Sequence, residues 1–318
     1  MSRAALAVAL LVAACGALAQ TWPGKPIRLV LPYSAGTTTD VLGRLYAQKL
    51  AENLSQAVIV ENKAGAGGNI AGEAVARSAP DGYTLTLSTS AVHATNPALY
   101  GKLPFDTIKD FSHVTFLASA PNMLAVNATV PAKNMAELIA YAKANPGKLT
   151  YISAGSGTSP HMAGELLRSM AGIDITHVPY KNITQGFADL MGGQVSMTFY
   201  HVPVIYPFVK DGRLRALGVA TRTRSALAPE VPPIADTLPG FEIRPWWGVS
   251  GPAGLPADVV DRIYNATATI LKDADTRQRF TAMGLEITQM TVREFNEFTV
   301  TELAKWTKIV KDSGAKVD

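Results

Sequence analysis

A chain of 318 residues, 47% hydrophobic and 17% charged, is long enough to bury more than one core and reads as a globular protein of two domains. Its 29 basic and 25 acidic side chains leave a formal charge of +4, too small and too evenly spread for a nucleic-acid surface, which would show clustered Lys and Arg. Small molecules are the expected partners.

The first residues, MSRAALAVALLVAACGALAQ, combine a basic Arg3, an apolar run from Ala4 to Ala14 and small residues up to Ala17-Leu18-Ala19. This is the form of a secretory signal over residues 1 to 19, cleaved before Gln20. The apolar run is shorter than the roughly 20 residues a helix needs to cross a bilayer, and no later stretch does better. The only cysteine, Cys15, falls inside this signal. The tetrapeptide VAAC (12 to 15) also resembles the lipobox at which bacterial lipoproteins are cut and acylated, so a lipid anchor at Cys15 is the alternative to a free chain. Both routes lead out of the cytoplasm, and an exported chain without disulfides suggests a bacterial periplasm.

After the signal, strand-like and helix-like stretches alternate. PIRLVLPY (26 to 33) is β-rich; TDVLGRLYAQKL (39 to 50) places Val41, Leu42, Leu45, Tyr46 and Leu50 near a helical period; AVIVEN (57 to 62) is again a strand. A Gly-rich loop then opens a small-residue helix, and Pro80-Asp81-Gly82 turns into a strand ending at Ser88-Thr89-Ser90. A second series follows: strand 123 to 130, helix 134 to 145, strand 149 to 154, helix 160 to 172, strand ITHVPY, helix TQGFADLMGG and strands 194 to 200 and 214 to 220. Such an order predicts two lobes, each a mainly parallel sheet flanked by helices. The last helices, ADVVDRIYNATATILKD and VREFNEFTVTELAKWTKIVKDSG, lack a sheet of their own and are expected to return to the first. Lobe 1 is then discontinuous, 20 to 122 and 246 to 318, with lobe 2 spanning 123 to 245.

Two loops share one plan. LPYSAGTTTD (31 to 40) and LTYISAGSGTSP (149 to 160) each run from a strand through small and hydroxyl residues into a helix. Uncovered backbone N–H groups at such a turn, with the positive end of the helix dipole, attract anions. Ser34, Thr37, Thr38 and Thr39 add hydroxyls while Ala35 and Gly36 permit close approach; Ser153, Ser156, Thr158 and Ser159 do the same around Gly155 and Gly157. Either loop alone is explained by ordinary N-capping. Their recurrence, one in each lobe, points to a shared site for a carboxylate in the cleft. Asp40, in a first helical turn and four residues before Arg44, is explained equally well by helix dipole and ion pairing.

Other chemistry finds little support. GAGG (65 to 68) has Ile70 where a dinucleotide fingerprint needs its third glycine, and no phosphate-loop Lys follows. His93, His113, His161, His177 and His201 are scattered without a metal-ligand spacing, so neither metal nor cofactor is expected. The order Ala154-Gly155-Ser156-Gly157-Thr158 does not form G-x-S-x-G, which weakens an exported hydrolase as the competing class.

PIRLVLPYSAGTTTDVLGR, VIVENKAGAGGNIAGEAVARSAPDGYTL, SAGSGTSPHMAGELL, HVPYK, DGRLRALGVATRTR and WWGVSGPAGLP, in this order from about residue 22, resemble the Bug-type periplasmic receptors of tripartite tricarboxylate transporters. The resemblance implies a two-lobed periplasmic-binding-protein fold of type II, a Venus flytrap without catalytic activity. It implies a monomer that delivers a dicarboxylate, tricarboxylate, acidic amino acid or aromatic acid to membrane permease subunits. It also implies that Tyr33, Ser34, Ala35, Gly36, Thr37, Thr38 and Asp40 face Ala154, Gly155, Ser156, Gly157 and Thr158 across the ligand, with Ser88 and Ser90 at the next strand end and His161 and Tyr200 nearby. Tyr33, Phe199, Tyr200, Trp246 and Trp247 offer an aromatic wall, or, for the tryptophans, core and hinge packing. The chain departs from the family pattern at Thr37 and Asn182, where glycines are usual; Thr37 is expected to narrow the first loop or add a donor. A receptor that signals through a membrane kinase is the alternative to one that feeds a permease.

Overall fold

The computed structural model describes residues 22 to 317; the expected export signal, its cleavage site and Cys15 lie outside them. The chain begins with β1 (Ile27–Leu31), α1 (Thr38–Leu54), β2 (Val58–Asn62), α2 (Asn69–Ala76) and β3 (Thr84–Thr89). A π-helical turn at Ala91–Thr95 leads into α3 (Asn96–Leu99), then β4 (Phe111–Ser119). Next come β5 (Asn122–Asn127), α4 (Met135–Ala144), β6 (Leu149–Ser153), α5 (Ser159–Ala171), β7 (Ile175–Pro179), α6 (Ile183–Met191), β8 (Met197–His201), α7 (Val202–Lys210) and β9 (Leu214–Val219). β10 (Trp246–Pro252), α8 (Ala257–Lys272), α9 (Ala274–Ala282), β11 (Glu286–Ile287) and α10 (Val292–Ser313) complete it.

Two sheets organise these elements, one ordered β11-β4-β10-β3-β1-β2 and the other β7-β6-β8-β5-β9. Helices flank both, so the two-lobed α/β architecture is as expected. The mainly parallel character is not: it is confined to the βαβ halves, where β1 pairs in parallel with β2 and β3, and β6 with β7 and β8. β10 is antiparallel to β3 and β4, β11 to β4, and β5 to β8 and β9. The reason is direction of travel. The parallel strands end at the cleft, whereas β10 starts there, its Trp247 opposite Thr89 at the end of β3.

The chain leaves the first sheet at Ser119 and enters the second at Asn122, and it comes back through Pro245 into β10. The two crossings run side by side, tied by Ala120 N–H to the Pro245 carbonyl at 3.1 Å. α10 covers this hinge. Trp246 Nε1 and Trp306 Nε1 both donate to the Glu302 carboxylate, at 2.9 and 2.8 Å, and Trp246 packs edge-to-face on Phe295 and Phe298. The far end of α10 reaches α5, where Arg168 and Ser169 donate to the carbonyls of Ser313 and Asp312.

The helix that matters most for the site is α1. Leu42, Leu45, Tyr46 and Leu50 are buried against β1, and a Cβ on Gly43 would stand 2.6 Å from Leu31 Cδ1, so the helix lies close on the strand. Val41, expected on the same face, is 48% exposed, because the buried stripe begins with Leu42 and Leu45. This close seat fixes the N-terminus of α1 at the carboxyl end of β1.

Candidate functional site

The first loop, between β1 and α1, is shaped by its own polar groups. Thr37 is the N-cap: its hydroxyl accepts from Asp40 N–H at 3.2 Å and donates to the Ser34 carbonyl at 2.9 Å. The threonine at this departure from the family pattern is therefore occupied within the loop. Asp40 is 4% exposed, and its carboxylate accepts from Gly36 N–H at 3.0 Å, from Arg44 Nε and from Asn62 Nδ2 at 2.9 Å. Burial alone would raise its pKa, but the hydrogen bonds from Arg44, Asn62 and Gly36 together hold it below the ordinary aspartate value. Asp40 thus grips the back of the loop, with Asn62 also donating to the Tyr33 carbonyl at 2.8 Å.

The second loop, between β6 and α5, reaches the same form with neutral groups. Gly155 N–H donates to Ser153 Oγ at 3.0 Å, and Thr158 Oγ1 donates to the Gly155 carbonyl at 2.6 Å. Gly157 N–H donates to His161 Nδ1 at 3.1 Å, and His161 packs its ring 4.3 Å from that of His177, which in turn bonds Ser153 Oγ at 2.6 Å. His161 therefore supports the loop from beneath. Thr158 is the N-cap position, Pro160 lies in the first turn, and Ser159 Oγ accepts from Asn122 Nδ2 at 3.1 Å.

These loops converge from the two lobes on one cavity. Tyr33, Thr37, Thr38, Ser90, Ala154, Thr158 and Tyr200 line it, as the sequence suggests. Thr39 and Ser159, read from the sequence as loop hydroxyls, line it as well, and so do Thr89, Ala91, Pro160, His201 and Pro245, which were not read as site residues; Trp246 and Trp247 complete the aromatic wall, whereas Phe199 stacks on Phe241 in the core. Ser34, Gly155, Gly65, Gly67, Tyr180 and Lys181 line a wider outer chamber that shares Tyr33, Thr37 and Ala154 with the inner one. Seven predicted residues line neither chamber: Ala35, Gly36, Ser156 and Gly157, which lie within the two loops, and Ser88, Asp40 and His161. Ser88 is buried in a chain with Ser250 Oγ, His113 Nδ1 and, through Nε2, the Thr107 carbonyl; Asp40 and His161 hold the loops as described. Asn182, the other departure from the family pattern, is the N-cap of α6 and accepts from Thr184 N–H at 3.1 Å.

The lobes meet over this cavity. Thr38 Oγ1 shares a 2.8 Å hydrogen bond with His201 Nδ1 of the other lobe, while within the first lobe Trp247 Nε1 donates to Thr39 Oγ1 at 2.8 Å. A Cβ on Gly67 would come within 2.6 Å of the Ser156 carbonyl oxygen, and one on Gly157 within 2.1 Å of Asn96 Oδ1. Burial pushes the Tyr33 phenol up to about 12, raises that of Tyr200 as well, and lowers His201 to about 3. The inner cavity is accordingly lined by neutral groups: hydroxyls, aromatic rings, an imidazole and the first amides of two long helices. Those of α1 at Thr38 and Thr39 have no acceptor within their own helix. Such a lining attracts an anion by dipoles without meeting it with a full charge.

Residues 42 to 315 match the profile of the tripartite tricarboxylate transporter family receptor, TctC. The chain belongs to this family. It is 31% identical to BugT of Bordetella pertussis over 323 residues, covering all of this chain and 99% of that one. Among solved structures, R. palustris Rpa4515 with adipate superposes with a TM-score of 0.88 at 33% identity, over 93% of this chain and 99% of that one. MatC of Rhodopseudomonas palustris with bound malate gives 0.85 at 29%, over 91% and 100%. The family is one of solute-binding receptors, and the two-lobed fold described above is the fold of these relatives.

Proposed function

We propose that this receptor works outside the cytoplasm, binds a small carboxylate between its lobes and presents it to the permease of a tripartite tricarboxylate-type transporter. The observation that carries this reading is the convergence of two strand-to-helix loops, one per lobe, on a single cavity whose inner lining contains no Lys or Arg among the described residues. The N-termini of α1 and α5 supply the positive potential, and Ser159, whose hydroxyl accepts from Asn122, supplies a hydroxyl donor. The bound adipate and malate of the two structural relatives support a carboxylate here.

Binding and closure are one event in this reading. The ligand contacts both lobes only when they are together, so it shifts the open–closed equilibrium by its differential affinity for the closed form. The closed surface is what the permease recognises. Bridging waters between solute and hydroxyls, at about 0 to 2 kcal/mol of ordering cost each, would let several related acids share the site.

A melting-temperature screen against C3 to C8 dicarboxylates tests the proposal, since a ligand that binds only the native state raises stability by RT ln(1 + [L]/Kd). At least one diacid is expected to raise the transition. Gly155→Val should remove the shift, because Gly155 holds φ at +113°, a conformation valine adopts only with strain, at the rim of the cavity. A screen in which no diacid moves the transition overturns the assignment.

A further inference from the structure

The inner cavity has an end that no loop motif announces. Tyr33, Thr37 and Ala154 border both chambers and so mark the passage between them. His201, Tyr200, Pro245, Trp246 and Trp247 line the inner chamber and not the outer one, and back onto the interlobe crossing. His201 stands there as the last residue of β8 and the N-cap of α7, a third strand-to-helix turn facing the cleft.

The hydrogen bonds of this histidine are half complete. The residue is 7% exposed; Nδ1 is taken by Thr38 Oγ1 at 2.8 Å, and Nε2 is buried with no partner among the described residues. Trp247 lies edge-on to the ring at 5.2 Å and Tyr200 at 4.9 Å, fixing its orientation. A buried polar nitrogen without a partner is costly, and such groups in native proteins are normally satisfied by protein, water or ligand. With the Thr38 hydroxyl donating to Nδ1, the ring proton sits on Nε2, which is then a donor on a ring that lines the cavity. The positive ends of two helices at the same cavity favour an oxygen acceptor as its complement over a donor.

We propose that His201 is a specificity-determining residue: its Nε2–H hydrogen-bonds an oxygen acceptor, a second carboxylate or a carbonyl, at the inner end of the solute. This rests on the receptor reading above and deepens it. The solute class is then a short acid with oxygen functions at both ends and an apolar span between them, lying along Tyr33, Tyr200 and the two tryptophans. An acid that ends in a methyl group would leave Nε2 unsatisfied and be rejected. Burial keeps the imidazole neutral, so recognition is by direction of a donor and not by charge.

The test uses the full-length protein after export, with isothermal titration of adipate and its one-carboxylate counterpart hexanoate, and of the other C3 to C8 diacid and monoacid pairs. The wild type is expected to favour the diacid of the best pair at least about tenfold, as for a site whose polar group is left unpaired by the poorer ligand. His201→Phe should lose about tenfold or more in diacid affinity while leaving the monoacid within about threefold, so that discrimination collapses. His201→Gln, whose amide N–H reaches nearly the position of Nε2–H, should restore most of it. Melting temperatures of the solute-free variants report folding separately. Unchanged diacid preference in His201→Phe, or equal loss in the Phe and Gln variants with both folded, overturns the role of His201 and leaves the receptor reading intact. Failure of the wild type to bind any diacid overturns both.

Discussion

The two loops that form the site reach nearly the same backbone shape by opposite electrostatic means. The loop before α1 is held by a buried charge: Asp40 gathers Gly36 N–H, Arg44 and Asn62 behind it. The loop before α5 is held by neutral partners, Ser153, His161 and the Thr158 hydroxyl. Asp40, Ser153 and His161 lie outside the lining of the cavity. A cradle for an anion must keep carboxylates at its back and amides at its front, and an acid is tolerable there only when arginine and amide donors surround it. The loops differ also in what lies above them. A Cβ on Gly36 meets nothing, whereas one on Gly157 strikes Asn96 across the lobe contact.

That difference in overhead space gives the largest expected effect. Gly36 and Gly157 have nearly equal φ, +83° and +84°, so valine imposes similar strain at each, and only Gly157→Val obstructs lobe contact. Titration should show solute affinity falling about tenfold to a hundredfold further for Gly157→Val than for Gly36→Val, as an overpacking conflict of about 1 to 3 kcal/mol predicts. Equal losses would mean that the Asn96 contact plays no part in closure.

Next in size is the charge beneath the first loop. Asp40→Asn should destabilise the fold by about 1 to 3 kcal/mol in urea unfolding, because the charged acceptor of several buried donors is lost. The sign of the pH effect follows from the lowered pKa. The contribution is complete above the unfolded value near 3.9 and is lost as pH falls through the lower folded value. The gap between wild type and variant should therefore begin to narrow below about pH 4 and close only once the pH is below the folded value. A gap that stays constant into acid would assign the effect to packing.

The smallest contrast is between the caps. Thr37 accepts from a helix amide and Thr158 does not, so Thr37→Ala should lower stability by about 1 kcal/mol and Thr158→Ala by less. Thermal unfolding of the two solute-free variants measures it; the reverse order would mean that the Thr158 bond to the Gly155 carbonyl matters more than helix capping.

Both loops were legible because strand, small residues and helix follow one another within a dozen positions, and backbone chemistry is then a local matter. The third turn was not. Its helix, VPVIYPFVK, contains Pro203 and Pro207, and the second reads as a breaker; α7 nevertheless forms, with Ile205 and Val202 buried and Pro207 inside it. A strand followed by a histidine and a proline at the start of a helix was the available signal. β4 and the π-helical turn after β3 were also unread, since their pairing and packing partners come from β10 and α10, more than a hundred residues later.

What the sequence by itself determined is the alternation of strands and helices, the two anion-type loops and, through six motif stretches in order, the receptor family. These depend on local periodicity and on residues that act through their own backbone. Only the tertiary structure decided that β10 and β5 run against their neighbours, that Asp40, Ser88 and His161 serve as supports, and that His201 ends at the cavity with one nitrogen open. Each of these is a relation between segments far apart in the chain, set by how two lobes close on each other, and no single stretch of residues carries it.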